Sequence, residues 1–290
     1  MLPESTQLRD LVDRALAEDL GKTGDVTSAA AVPAARRARG RVVCKAEGVL
    51  AGVTLAELCF LALDPEAVLV RQRDDGAALV PGDVVLTVEG SARALLAAER
   101  TALNFLQHLS GIATRTRALV RAVGSTGVRI LDTRKTLPGL RVLQKYAVRV
   151  GGGRNHRFGL HDQVLLKNNH FALAEPEPYE SVVRRAVGAS AAPLIAEART
   201  LEEARAAVRG GADVVLLDNF APGPALREAV ATVRGEAARL RRTVEIEASG
   251  GVDLHNAAAF AACGVDRLSV GALTHSVQAL DLSLRLEVLA

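Results

Sequence analysis

The sequence predicts an α/β protein, with a first third of mixed helices and strands and, from residue 128 onward, a parallel β/α barrel. Three observations carry that prediction. Short β-branched runs recur, each followed by a helical segment, and strands that alternate with helices pair in parallel through right-handed crossovers. The runs end alike, in charged, amide, hydroxyl or glycine residues. Of 290 residues, 49% are hydrophobic and 24% charged, which is enough apolar surface to bury a large core.

In chain order, Leu8, Leu11, Val12, Ala15 and Leu16 stand at helical spacing, and Gly21 ends the helix they predict over 7–20. Residues 41–53 alternate loosely around Gly48 and Gly52, which reads as strands with bends. A helix is expected over 55–63 and strands over 68–73 and 84–89, the second strand opened by the turn Pro81-Gly82-Asp83. A long helix follows over 91–123, in which Gly111 either breaks the helix or admits another backbone. The strands of the second part are expected at 128–131, 164–166, 194–196, 214–217, 244–246 and 268–270, with helices such as 200–209 and 255–263 between them. Six such units point to a closed or nearly closed barrel more than to an open sheet.

Composition excludes several functions. The net charge is +3 and basic residues are spread along the chain; the densest group, Arg36, Arg37, Arg39 and Arg41, reads as a solvated strand edge. Aromatic residues are 3% and do not interleave with the basic ones, so no stacking surface for single-stranded nucleic acid is expected. Cys44, Cys59 and Cys263 form no CxxC pair and have no metal-ligand spacing with histidine; they read as small buried apolar residues in a reducing compartment. The N-terminus lacks a basic region followed by an apolar run, and no apolar stretch reaches about 18 uncharged residues, so a soluble cytoplasmic protein is expected. No GxGxxG or Walker lysine loop follows a strand, and GxSxG and HExxH are missing.

The chemistry is expected where the strands end. In order these ends are Asp132-Thr133-Arg134-Lys135, Lys167-Asn168-Asn169-His170, Glu197, Asp218-Asn219, Glu247-Ala248-Ser249-Gly250-Gly251 and Gly271-Ala272. In a β/α barrel these ends converge on one face, where the active site lies. A chain selected for folding alone gains nothing from polar groups at one end of six buried strands, where desolvation costs it. The stretch from Gly151 to Gly153 precedes a strand and delivers His156 and Arg157 near the same mouth. One arginine alone is usually a surface ion pair, but Arg134, Lys135, Arg157 and Lys167 together would repel one another unless an anion of more than one charge lies between them. That favours a dicarboxylate or phosphate substrate. Glu197 and Asp218 follow successive strands and suit Mg²⁺, ribose hydroxyls or positive charge developing on a sugar carbon. Ser249-Gly250-Gly251, feeding a helix expected over 252–263, together with Gly271 to His275, suits a phosphate. His108, alone on a helix among leucines, reads as a packed or capping histidine.

Taken together, these strings resemble the nicotinate-nucleotide pyrophosphorylase (carboxylating), or quinolinate phosphoribosyltransferase, family. The resemblance rests on Glu18-Asp19-Leu20 with Gly24-Asp25-Val26-Thr27-Ser28, on the stretch from Ala98 to Thr114, and on Asp132-Thr133-Arg134-Lys135-Thr136 with Pro138-Gly139-Leu140-Arg141. It continues through Lys145-Tyr146-Ala147-Val148, Asn155-His156-Arg157, Leu217-Asp218-Asn219, Ala248-Ser249-Gly250-Gly251 and Ser269 to Ser276, and so spans nearly the whole chain. It implies an N-terminal α/β sandwich over 1–112 joined to an open β/α barrel over 113–275, with a last helix over 276–290 returning to the first domain.

It also implies a homodimer at minimum and condensation of quinolinate with phosphoribosyl pyrophosphate, with Mg²⁺, to nicotinate mononucleotide, CO₂ and pyrophosphate in NAD biosynthesis. By the family pattern, Arg134, His156, Arg157, Lys167 and the partner subunit's Arg100 would hold the quinolinate carboxylates, and Thr133 would also bind substrate. Lys135 would sit between ring and pyrophosphate. Glu197 and Asp218 would stabilise the cationic ribose carbon and help hold Mg²⁺ or ribose hydroxyls; Ser249, Gly250 and Gly271 would hold the 5′-phosphate. The chain departs from that pattern where Asn168 replaces an Asp and Ile195 a Glu, and, more mildly, where Gln144 replaces a Glu. The first two are where altered or reduced activity is expected.

Overall fold

The computed structural model describes residues 5–289. Along the chain the elements are α1 (Ser5–Leu20), α2 (Val26–Ala31), β1 (Arg37–Cys44), β2 (Gly48–Val49), α3 (Val53–Leu63), β3 (Val68–Arg71), β4 (Ala78–Leu79), β5 (Val84–Ser91) and α4 (Ala92–Val123). There follow β6 (Arg129–Leu131), α5 (Arg141–Val150), β7 (Val164–Leu166), α6 (Asn168–Ala174), α7 (Tyr179–Ala189), β8 (Leu194–Ala198), α8 (Leu201–Gly210) and β9 (Val214–Asp218). The last are α9 (Pro224–Arg239), β10 (Glu245–Ser249), α10 (Ala257–Ala261), β11 (Arg267–Ser269), α11 (Ala272–His275) and β12 (Leu282–Val288). They divide between two units, one of Met1–Arg117, Pro138–Gly152 and Ser276–Ala290, the other of Ala118–Leu137 and Gly153–His275. The stretch Pro138–Gly152, which carries α5, thus falls in the first unit and not within an unbroken barrel domain.

In the first unit, strand alternation sets the sheet. Ala38 and Val42 of β1 turn into the core, while Arg39 and Arg41 turn out and meet Glu89 at 2.5 Å and Glu287 at 2.8 Å. The antiparallel order is β12-β1-β5-β3, so these arginines stand on the face of an inner strand, not at a sheet edge. The segment 276–290, expected as a helix, instead supplies β12, which pairs with β1 from Ala38↔Val288 to Cys44↔Leu282. The reason is visible in Leu282, Leu284, Leu286 and Val288, an alternation of period two that no helix could bury on one side. α4 runs unbroken through Gly111, where a Cβ would lie 2.1 Å from the Gln278 carbonyl oxygen, so the glycine admits a second backbone. Ser110 Oγ accepts the Ala51 N–H at 3.0 Å and Thr114 Oγ1 the Val49 N–H at 2.8 Å, so this stretch of helix fastens the loop before α3. His108 packs as expected, 2.8 Å from the Gln144 side chain; burial pushes its pKa down.

In the second unit, six strands pair in parallel in the order β6-β11-β10-β9-β8-β7. The first strand therefore lies beside the last, as barrel closure requires, while β6 and β7 do not pair, which leaves the barrel open. Next to β6 the chain makes one parallel bridge, Leu131↔Arg154. Residues two apart share a face, and the inward faces differ around the barrel. Leu165, Ile195, Val214 and Leu216, from β7 to β9, form an apolar cluster. Arg129, Glu245, Glu247 and Arg267, from β6, β10 and β11, form an ionic one.

Candidate active site

The parallel register brings the ends of the strands level. Asp218 on β9 stands opposite Ser249 on β10, which stands opposite Ser269 on β11. Above them opens a cavity of about 670 Å³, lined entirely by the second unit, a size suited to small ligands. Thr133, Arg134, Lys135, His156, Arg157, Lys167, Glu197, Asp218, Ser249, Gly250 and Gly271 all line it, with Leu165 and Leu216 from the apolar half. Arg100 is exposed on α4 in the first unit and does not line this cavity. Arg199 lines it and was not expected to. Its signal was its place two residues beyond Glu197, past the end of β8.

Each loop is fixed by its own hydrogen bonds. Lys135 N–H donates to Thr133 Oγ1 at 3.0 Å, and Thr274 Oγ1 donates to the Lys135 carbonyl at 2.7 Å, so the loops after β6 and β11 are tied together. Gly271 makes this possible, since a Cβ there would lie 3.0 Å from Lys135 Cδ and 3.2 Å from the His275 ring. Asp132, expected with the mouth residues, is fully buried below it, where its carboxylate accepts from Asn155 Nδ2 at 2.5 Å and from the His156 N–H at 2.9 Å. It anchors the loop that presents His156 and Arg157. The glycines ahead of that loop serve packing and turning and do not line the cavity: a Cβ on Gly151 would lie 2.6 Å from the Ala113 carbonyl, and Gly152 has φ 94°.

The cations stand close enough to feel one another. Burial and the nearby Arg134 guanidinium push Arg157 below the ordinary guanidinium range, while Asp162 opposes them. Arg157 Nη1 donates to the Gln163 carbonyl at 3.1 Å. The acids lie on β8 and β9. Glu197 is buried, and its Oε1 accepts the Asn168 N–H at 3.1 Å while its carbonyl accepts from Tyr179 Oη at 2.7 Å. Ile195 is fully buried two residues below Glu197 in the apolar cluster and does not line the cavity. Beyond β10 the chain turns through Gly250 and Gly251, at φ 98° and 65°, and a Cβ on Gly250 would meet Asn219 Oδ1 at 2.5 Å. The helix expected to start at 252 begins only at Ala257, because Asp253 and Asn256 hold the intervening turn with hydrogen bonds of their own. A phosphate here would meet the glycine turn and not a helix terminus. Glu247, also expected at the mouth, lies within β10 and is fully buried.

Comparison with known proteins identifies the family. A family model described as quinolinate phosphoribosyl transferase, C-terminal domain, matches residues 112–285, and one for the N-terminal domain matches residues 25–110. The chain is 49% identical to the carboxylating nicotinate-nucleotide pyrophosphorylase of Mycobacterium leprae, over 96% of each chain. It is 40% identical to the probable enzyme of that name from Bacillus subtilis, over 96% of this chain and 93% of that one. Among solved structures, NadC from Streptococcus pyogenes superposes with a TM-score of 0.90 at 37% identity, with 100% of both chains covered. The nicotinate-nucleotide pyrophosphorylase of Francisella tularensis superposes with a TM-score of 0.89 at 36% identity, covering 99% of this chain and 98% of that one. The chain belongs to the quinolinate phosphoribosyltransferase family.

Proposed function

We propose that this protein transfers phosphoribosyl from phosphoribosyl pyrophosphate to the ring nitrogen of quinolinate, with loss of CO₂, giving nicotinate mononucleotide and pyrophosphate. One observation carries the reading: Arg134, Lys135, Arg157 and Lys167 share a cavity with Glu197, Asp218 and the glycine turns at Gly250 and Gly271. A dianionic ring needs the cations, a ribose carbon turning cationic needs the carboxylates, and a 5′-phosphate needs the turns.

The chain's residues act by placement and charge. Arg134, Arg157 and Lys167, joined by the partner subunit's Arg100, hold the two carboxylates and aim the ring nitrogen at the ribose. Thr133 contacts substrate beside them, and His156 holds its part of the same wall. Lys135 lies between ring and pyrophosphate, where its charge favours departure of the leaving group. Glu197 and Asp218 stabilise the ribose carbon as the bond to pyrophosphate lengthens. The ring nitrogen then becomes a pyridinium, which accepts the electron pair freed when the adjacent carboxylate leaves as CO₂; that carbon afterwards takes a proton. Orientation and preorganised charge supply the acceleration.

Mg²⁺ fits this scheme as an ion shared with substrate. Among the described residues no three His, Cys, Asp or Glu side chains converge to cage an ion. Mg²⁺ is commonly held by one or two carboxylates and completed by substrate phosphates and water, and Glu197 and Asp218 are suited to that part. When bound, it would neutralise charge on the departing pyrophosphate. The reading further includes a homodimer with shared sites and a reducing, cytoplasmic setting, the latter supported by three buried free cysteines. No helix among the described residues is long and apolar enough to cross a membrane.

The test mixes protein, quinolinate, phosphoribosyl pyrophosphate and Mg²⁺ and follows CO₂ and nicotinate mononucleotide. Equal release of both is expected. Turnover of nicotinate but not quinolinate, or binding without turnover, would refute the reading.

A further inference from the structure

Glu247 lies mid-strand on β10 and lines no part of the cavity. Its side chain is 1% exposed, yet one carboxylate oxygen lies 2.8 Å from Arg267 Nε and the other 3.5 Å from His156 Nε2. Arg267 also reaches Glu245 at 3.2 Å, and Glu245 reaches Arg129 at 2.6 Å. Charges of alternating sign therefore run along the barrel interior and end beneath His156. Burying ion pairs costs desolvation that apolar side chains avoid. The other half of the same interior does avoid it, with Leu165, Ile195, Val214 and Leu216. Packing alone does not call for the ionic half, and the residue at its upper end lines the substrate cavity.

The His156 ring is hydrogen-bonded at Nδ1 and faces the Glu247 carboxylate with Nε2. Nδ1 accepts the Arg157 backbone N–H at 2.7 Å, so it carries a lone pair, and the ring proton sits on Nε2, facing Glu247. Asp132 fixes the His156 main chain at 2.9 Å. The ring in turn fixes the amide from which the Arg157 side chain springs.

We infer that Glu247, paired with Arg267, is a positioning residue that reinforces the Nε2–H tautomer and holds the ring plane of His156, and through it the placement of Arg157. Arginine recognises carboxylate by a geometry-dependent fork, so loosening this support weakens quinolinate more than phosphoribosyl pyrophosphate.

The inference rests on the proposed reaction for its kinetic arm only. ¹⁵N spectra of histidine-labelled wild type, with His156 assigned by its loss in His156→Gln, test it directly. A single Nε2–H tautomer is expected; an Nδ1–H tautomer, or free exchange between the two, would overturn it whether or not quinolinate is the substrate. In the double variant Glu247→Met with Arg267→Met both charges leave together, so no lone charge is buried. It should retain wild-type circular dichroism, show mixed His156 tautomers and raise the quinolinate KM about tenfold, with the phosphoribosyl pyrophosphate KM within about twofold. Glu247→Gln keeps an acceptor for Nε2–H and should keep the tautomer. A folded double variant with an unchanged tautomer and quinolinate KM would overturn the proposal. Should it fail to fold, the wild-type spectrum and Glu247→Gln decide: loss of the tautomer in Glu247→Gln also counts against it.

Discussion

At the scale of single residues, the site differs from its family pattern by one amide. Asn168 puts a neutral side chain where that pattern has an acid, yet its backbone N–H still reaches Glu197 Oε1 at 3.1 Å. The loss is of charge and not of framework. Asn168→Asp should therefore lower the Mg²⁺ concentration for half-maximal activity by roughly two- to fivefold, the range for one partly exposed charge, with the melting temperature little changed. A Mg²⁺ titration of both proteins checks this. Ile195 behaves differently: it packs with Leu165, Val214 and Leu216, so an acid there would be buried among apolar side chains. Most cavity residues were legible because a polar group at the end of a buried strand is conspicuous. Glu245 drew no expectation and Glu247 was expected at the mouth; their place inside the barrel was not legible, because only the curling of the sheet turns that face of 244–249 inward.

At the scale of elements, two glycines in helices give opposite expectations. Gly111→Ala would drive a Cβ to 2.1 Å from the Gln278 carbonyl, a backbone atom that cannot swing away. A loss of about 1–3 kcal/mol is expected. Gly235, exposed in α9, has nothing within 4 Å of a built Cβ, and Gly235→Ala should gain about 0.5–1 kcal/mol. Urea unfolding of both variants checks the pair. The helices α8 and α9 are also joined by charge. Arg239 and Arg209 hold Glu236 down at about 2, against 4.5 ordinarily. A depressed carboxylate stabilises the fold above 4.5 and loses that contribution as pH falls toward 2. The stability difference between wild type and Glu236→Gln should be full at pH 6 and shrink steadily below 4.5, as urea midpoints across that range would show. Helix α4 and the barrel strands could be read from spacing alone. The resemblance implied a helix for 276–290, whereas the alternation from Leu282 to Val288 matches the strand β12.

At the scale of the whole molecule, the proposed assembly makes a prediction that no single subunit can meet. Arg100→Ala and Lys135→Ala should each be nearly inactive. Unfolded together and refolded at equal amounts, they form hybrids in half of the dimers, with one intact site in each. About a quarter of wild-type activity should return. Recovery of none would count against a site completed across subunits. The return of 276–290 to the first unit was implied by the resemblance, but the place of Pro138–Gly152 there was hidden from the sequence, because it is set by contacts between distant segments. The first unit takes its parts from Met1–Arg117, Pro138–Gly152 and Ser276–Ala290.

That path has a consequence for how the protein comes into being. Strand β1 has β5 on one side early in synthesis, but its other side is covered only by β12. Until Leu282–Val288 have been made, a row of unsatisfied amides and carbonyls on β1 stays open to any passing strand. The nascent chain therefore completes its first-begun sheet only after every barrel strand has been made.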